Sequence, residues 1–133
     1  FGVWRAEKRA LRMHRILIVS DDPFLRDMVR FALGGLDAEV RSVSEACEIR
    51  RVSRSVLFDV VILLTVSPFA CCDCFDRRRN GLRRPVVYVV AWQHSEQTVL
   101  SLLENGVDQY MTFPVNLQRL RGKVADELNR LVP

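Results

Sequence analysis

Asp59-Val60-Val61-Ile62-Leu63-Leu64 opens on one acid and then runs through five apolar residues, the first three β-branched. So short and uninterrupted a run fits a strand buried on both faces, as in a parallel sheet covered by helices. The third strand is read from Val60 to Thr65, closing at Ser67-Pro68. Three further stretches have the same character. Arg15-Ile16-Leu17-Ile18-Val19-Ser20-Asp21-Asp22-Pro23 carries a first strand, Ile16 to Val19, into acids and a helix start. Pro85-Val86-Val87-Tyr88-Val89-Val90-Ala91 holds a fourth over Val86 to Val90. Gly106-Val107-Asp108-Gln109-Tyr110-Met111-Thr112-Phe113-Pro114 holds a fifth over Val107 to Thr112.

Helical patterns alternate with these runs. Leu25, Met28, Val29, Ala32, Leu33 and Leu36 recur at the 3.6-residue period after Pro23, a residue suited to a first helical turn, and the pattern stops at Gly34-Gly35. Ala38 to Val43 reads as a second strand, with Ser44 as N-cap of a weaker helix running to about Ser53 and Cys47 on its core side. Between the third strand and Pro85 lies the least regular segment, with a short helix ending at Asn80-Gly81. Helices follow over 96–105 and 116–131, the last with Leu117, Leu120, Val124, Leu128 and Leu131 near heptad spacing. Alternating strands and helices predict an α/β fold, a doubly wound five-stranded parallel sheet in a (βα)5 chain with helices on both faces.

A length of 133 residues and a hydrophobic fraction of 49% suit one domain with an ordinary core, assigned to residues 14–133 behind a basic arm at 1–13, as a linker or tag would be. The longest nearly uninterrupted apolar stretch, Val60 to Val66, is far below the roughly 20 residues of a spanning helix, so no membrane role and a cytoplasmic location are expected. Twenty Lys and Arg against 16 acids give a net charge of +4, too small an excess to mark a nucleic-acid binder. The arginines at 77, 78, 79, 83 and 84 read as a solvated face.

In order and spacing, the four stretches resemble the receiver domain of two-component response regulators, over about residues 14–131. The resemblance implies a flavodoxin-like fold with a phosphorylation pocket at the carboxyl ends of the strands. It implies acids for Mg²⁺ after the first strand, a phosphate-accepting aspartate ending the third, a Thr or Ser ending the fourth, and a lysine before a proline after the fifth. Here Ser20 stands at the first acid and Asp21 matches the second, with Asp22 beside it. Leu64 replaces the acceptor, Val90 the hydroxyl and Phe113 the lysine, while Pro68 and Pro114 keep their places. Leu64, Val90 and Phe113 together are expected to form an apolar plug, since a lysine without its carboxylate partner would be a costly buried charge. Asp21 and Asp22 are expected to cap a helix, with weak Mg²⁺ binding as the alternative and otherwise no cofactor. Thr65 and Ser67 lack an activating base, and Asp59 lies at the wrong end of its strand.

The resemblance implies a non-enzymatic pseudo-receiver that acts as a protein-interaction or dimerisation module in signalling or transcriptional regulation. Its partner would be another protein or a second copy, and DNA would be reached only through a separate output domain. The expected face lies on the fourth helix, fifth strand and fifth helix, with Asp108, Tyr110, Arg119 and Lys123, although Gln109 stands where an acid is common. The alternative is a redox or metal sensor built on Cys71, Cys72, Cys74 and His94, weakened by the absence of a second ligand pair.

Overall fold

The structure, a computed structural model, describes residues 14–45, 47–64, 85–92, 95–104 and 106–130. The chain runs β1 (His14–Val19), α1 (Pro23–Ala32), β2 (Ala38–Val43), α2 (Glu48–Ser55), β3 (Val60–Leu64), β4 (Val86–Ala91), α3 (Glu96–Glu104), β5 (Gln109–Thr112) and α4 (Leu117–Arg130). The segment read as a helix between β3 and β4 falls outside the described residues, so α3 and α4 are the fourth and fifth helices of the sequence reading.

All five strands are parallel, in the order β2-β1-β3-β4-β5. Alternation along each strand divides the core into two layers. Ile16, Ile18, Val60, Ile62, Leu64, Tyr88 and Val90 pack with Val29 of α1, with Leu33 just after it, and with Leu120, Val124 and Leu128 of α4. Leu17, Val19, Val61, Leu63, Val87 and Val89 pack on the other side with Ile49 of α2 and Leu102 of α3. Burial on both sides explains why β1, β3 and β4 read as continuous apolar runs.

α1 begins where Asp22 accepts a hydrogen bond from the Phe24 N–H at 2.9 Å with Pro23 in the first turn, and it ends before Gly35, whose φ of +87° suits glycine. Arg121 of α4 donates to the carbonyls of Ala32 and Gly34, satisfying acceptors that a helix end leaves unpaired. α2 departs from the sequence reading. It starts at Glu48 with Cys47 at the N-cap, and Ser44 does not cap it; instead the Glu48 carboxylate reaches back to the N–H groups of Ser44 and Glu45. Cys47 is exposed rather than core. Its thiol bonds the Glu45 carboxylate at 3.3 Å, which pushes its pKa up. With only Ile49 buried among its described side chains, α2 offers a narrow apolar stripe, and the position before its first turn faces water.

Candidate functional site

In this strand order β1 is flanked by β2 and β3, so the connections leaving β1 and β3 diverge to opposite sides, and ligands of open α/β sheets collect at the carboxyl end of such a point. A cleft of about 450 Å³ opens there. Leu25 and Met28 of α1 form one wall, Phe113, Pro114 and Val115 the other, Leu64 contributes from the end of β3, Trp92 from the residue after β4, and Asp21 and Asp22 from the turn after β1.

Leu64 is 1% exposed and pairs with Val90 across the ladder, and Val90 in turn pairs with Met111. The structure therefore sets Leu64 and Val90 side by side in the layer between the sheet and α1 and α4. Phe113 is half-buried against the same layer, held where its N–H donates to the Ala91 carbonyl at 3.0 Å. The three do not close the site: Val90 is wholly in the core and does not line the cleft, Leu64 and Phe113 do, and open volume remains between them and α1. What had been expected as a plug is an apolar-walled cleft.

Ser20 is buried, and its hydroxyl accepts from the Asp22 N–H at 3.2 Å, which tightens the turn into α1. Arg26 donates to the Ser20 carbonyl at 2.6 Å. Asp22 is committed through one oxygen to capping α1, and Asp21 is exposed, with no partner among the described residues. For Mg²⁺ this donor set does not fit: a hard divalent ion takes about six oxygens, and here the Ser20 hydroxyl is used in a turn, one Asp22 oxygen caps α1, and Leu64 offers none. Among the described residues no group of three or more His, Cys, Asp and Glu side chains is arranged to hold a metal. Cys71, Cys72, Cys74 and His94, with Pro68 and the arginines before Pro85, lie outside the described residues.

Trp92 escaped the sequence reading. It is 55% exposed, and its ring centroid lies 5.3 Å from that of Phe113 with the planes tilted by 47°. The signal was its position immediately after an apolar strand, at the end of the sheet where Asp21 and Phe113 also fall.

The second expected site, at the β5 edge, is largely engaged within the domain. The Asp108 carboxylate accepts from the Val87 N–H at 2.8 Å, while its own N–H donates to the Val87 carbonyl. Tyr110 is half-buried, and its hydroxyl donates to the Trp92 carbonyl at 2.9 Å. Lys123 donates to the Gln109 side chain at 3.3 Å. Arg119 is exposed, its backbone N–H taken by Asn116 at the start of α4. Leu100 and Leu103 add exposed apolar surface on α3. Buried Tyr88 donates to the Lys123 carbonyl at 3.2 Å, and desolvation, reinforced by the nearby Glu127 charge, lifts its pKa to about 12.

No protein-family model matches the chain. It is similar to the response regulator protein PilR of Pseudomonas aeruginosa, 27% identical over 126 residues that cover 86% of this chain and 26% of that protein. It is also similar to the DNA-binding dual master transcriptional regulator RpaA of Synechocystis, 24% identical over 122 residues, 89% of this chain and 50% of that one. The chain thus spans half the length or less of these curated relatives. Among solved structures, the signal receiver domain of a LuxO repressor protein from Vibrio parahaemolyticus superposes with a TM-score of 0.76 at 19% identity, covering 90% of this chain and 92% of that one. The fold is that of response-regulator receiver domains.

Proposed function

We propose that this chain is a signalling receiver domain that works without aspartyl phosphorylation, as a protein-interaction module. The observation that carries the reading is Leu64, buried at the end of β3 and flanked by Val90, where the fold's phosphate acceptor and hydroxyl belong. Phosphoryl transfer needs an anionic nucleophile, a divalent ion and donors aimed at the developing oxygens. Leucine, valine and phenylalanine supply none of these, and the two acids left on the rim would repel a phosphoryl donor.

Support for an interaction role comes from the β5 edge, where α3 exposes Leu100 and Leu103 and α4 exposes Arg119. Arginine is enriched at protein interfaces, and exposed apolar side chains supply area that a partner can bury. The similarity to PilR and RpaA supports a place in bacterial signal transduction, with any DNA contact made by another domain. The test is incubation with acetyl phosphate and Mg²⁺, followed by intact-mass spectrometry, alongside NMR spectra with beryllium fluoride. Unchanged mass and spectra are expected, and a stoichiometric phosphorylated species would overturn the reading.

A further inference from the structure

We infer that the cleft is a binding site for a small organic cation with an apolar or aromatic body, and that Trp92 transmits its occupancy to Tyr110. The cleft's volume of about 450 Å³ lies within the ~300–1,000 Å³ usual for small-molecule sites, and it sits where α/β sheets collect ligands. Its walls supply apolar area through Leu25, Met28, Leu64 and Val115. Trp92 leaves more than half its surface in water beside Phe113, an unusual exposure for so large a ring unless something covers it. A tryptophan face is also the side-chain surface that attracts cations best.

Charge selects among ligands with such a body. Asp21 and Asp22 are the charged side chains among the described cleft-lining residues, and Asp21 has no partner among the described residues. Arg26, the nearby cation, is held on the Ser20 carbonyl and does not line the cleft. An anionic ligand would meet two carboxylates, and a neutral one would leave them unused. An organic ammonium group could pair with Asp21 while its body lies against Trp92 and Phe113, and it does not need the multiple oxygens that Mg²⁺ requires.

One route outward runs through Trp92. The Trp92 ring lines the cleft while its carbonyl accepts the Tyr110 hydroxyl, so displacement of Trp92 by an occupant alters the anchor of Tyr110 on the edge strand. This relay rests on the reading of the β5 edge as the working surface; binding in the cleft does not.

A Trp4→Phe variant leaves Trp92 as the only tryptophan, since the chain has two. Its emission would be followed during titration with phenylbutylamine, phenylbutanol and phenylbutyrate, with Tyr110 ring resonances followed by NMR at saturation. We expect saturable binding of the amine, at least about tenfold weaker binding of the carboxylate, and a shift of Tyr110 with the amine. Asp21→Asn, an exposed change, should weaken the amine about fivefold, the scale of one partly exposed ion pair, and leave the alcohol unchanged. No saturable response to the amine, or equal affinity for amine and carboxylate, overturns the site. Binding without a Tyr110 shift overturns the relay. Neither result touches the phosphorylation reading, which the acetyl phosphate experiment decides separately.

Discussion

Replacing Leu64 with aspartate places a carboxylate at the buried end of β3 and should destabilise the domain by about 3 to 4 kcal/mol at neutral pH. The leucine is 1% exposed and lies in the α1 and α4 layer, so its removal forfeits packing at the lower end of the ~2–5 kcal/mol typical of buried leucines, because the cleft already opens on one side. A carboxylate there has no cation among the described cleft-lining residues and adds about 1 to 2 kcal/mol, moderated by water in the cleft. Leu64→Asn carries a similar shape without charge and isolates the second contribution. The sign with pH follows from burial, which raises the folded-state pKa of the new aspartate above the ordinary value of about 3.9. The folded state then holds the proton more tightly, so the charge penalty is absent below about pH 4 and grows as pH rises through the folded pKa. Phe113→Lys in the same chain should recover part of the loss by placing an ammonium in the cleft. Urea unfolding of the parent, both single variants and the double variant at several pH values measures all of this. An aspartate variant as stable as the parent, or a penalty equal to that of asparagine at every pH, would show that position 64 is wet and that the packing argument is wrong.

Two further outcomes are expected. Arg121→Ala removes two hydrogen bonds to the carbonyls ending α1 and should cost about 1.5 to 3 kcal/mol in urea unfolding, whereas Arg119→Ala, on the exposed side of the same helix, should stay within about 0.5 kcal/mol. Tyr88, with its pKa raised to about 12 against an ordinary value near 10, holds its proton more tightly when folded. Its contribution is therefore complete below about pH 10 and is lost as pH rises toward 12, and Tyr88→Phe should flatten the fall in melting temperature over that window.

The architecture was legible because its signals are local. Continuous apolar runs marked β1, β3 and β4, and a 3.6-residue stripe ending at glycines marked α1. Leu64, Val90 and Phe113 could be placed from their positions at strand ends. Whether they fill space could not, because the open volume depends on how far Leu25 and Met28 of α1 stand from Phe113 and Val115, a distance set by tertiary packing. Trp92 joined the site for the same reason, through its contact with a ring 21 residues on. Cys47 and Ser44 were misplaced because a marginal helix such as α2 can begin a few residues later at little cost, which turns a core position into a surface one. The intradomain partners of Asp108, Tyr110 and Lys123 were not legible because nothing local in sequence reveals a bond to a backbone group or side chain 14 to 21 residues away.

The two borders of the sheet constrain how anything can attach to it. β5 is only four residues long, and Asp108 binds its start to β4 through a side-chain bond as well as a backbone one. β2, the opposite border, carries Glu39 and Arg41 at alternate positions, bonded to each other at 2.8 Å, with Arg15 of β1 drawn into the same charge cluster. Short borders and charged ones are poor templates for a further strand. Continuation of the hydrogen-bonded ladder into a neighbouring molecule is thus discouraged at both ends, which guards the chain against fibre-like growth and leaves the helices as the surfaces on which a contact could change one residue at a time.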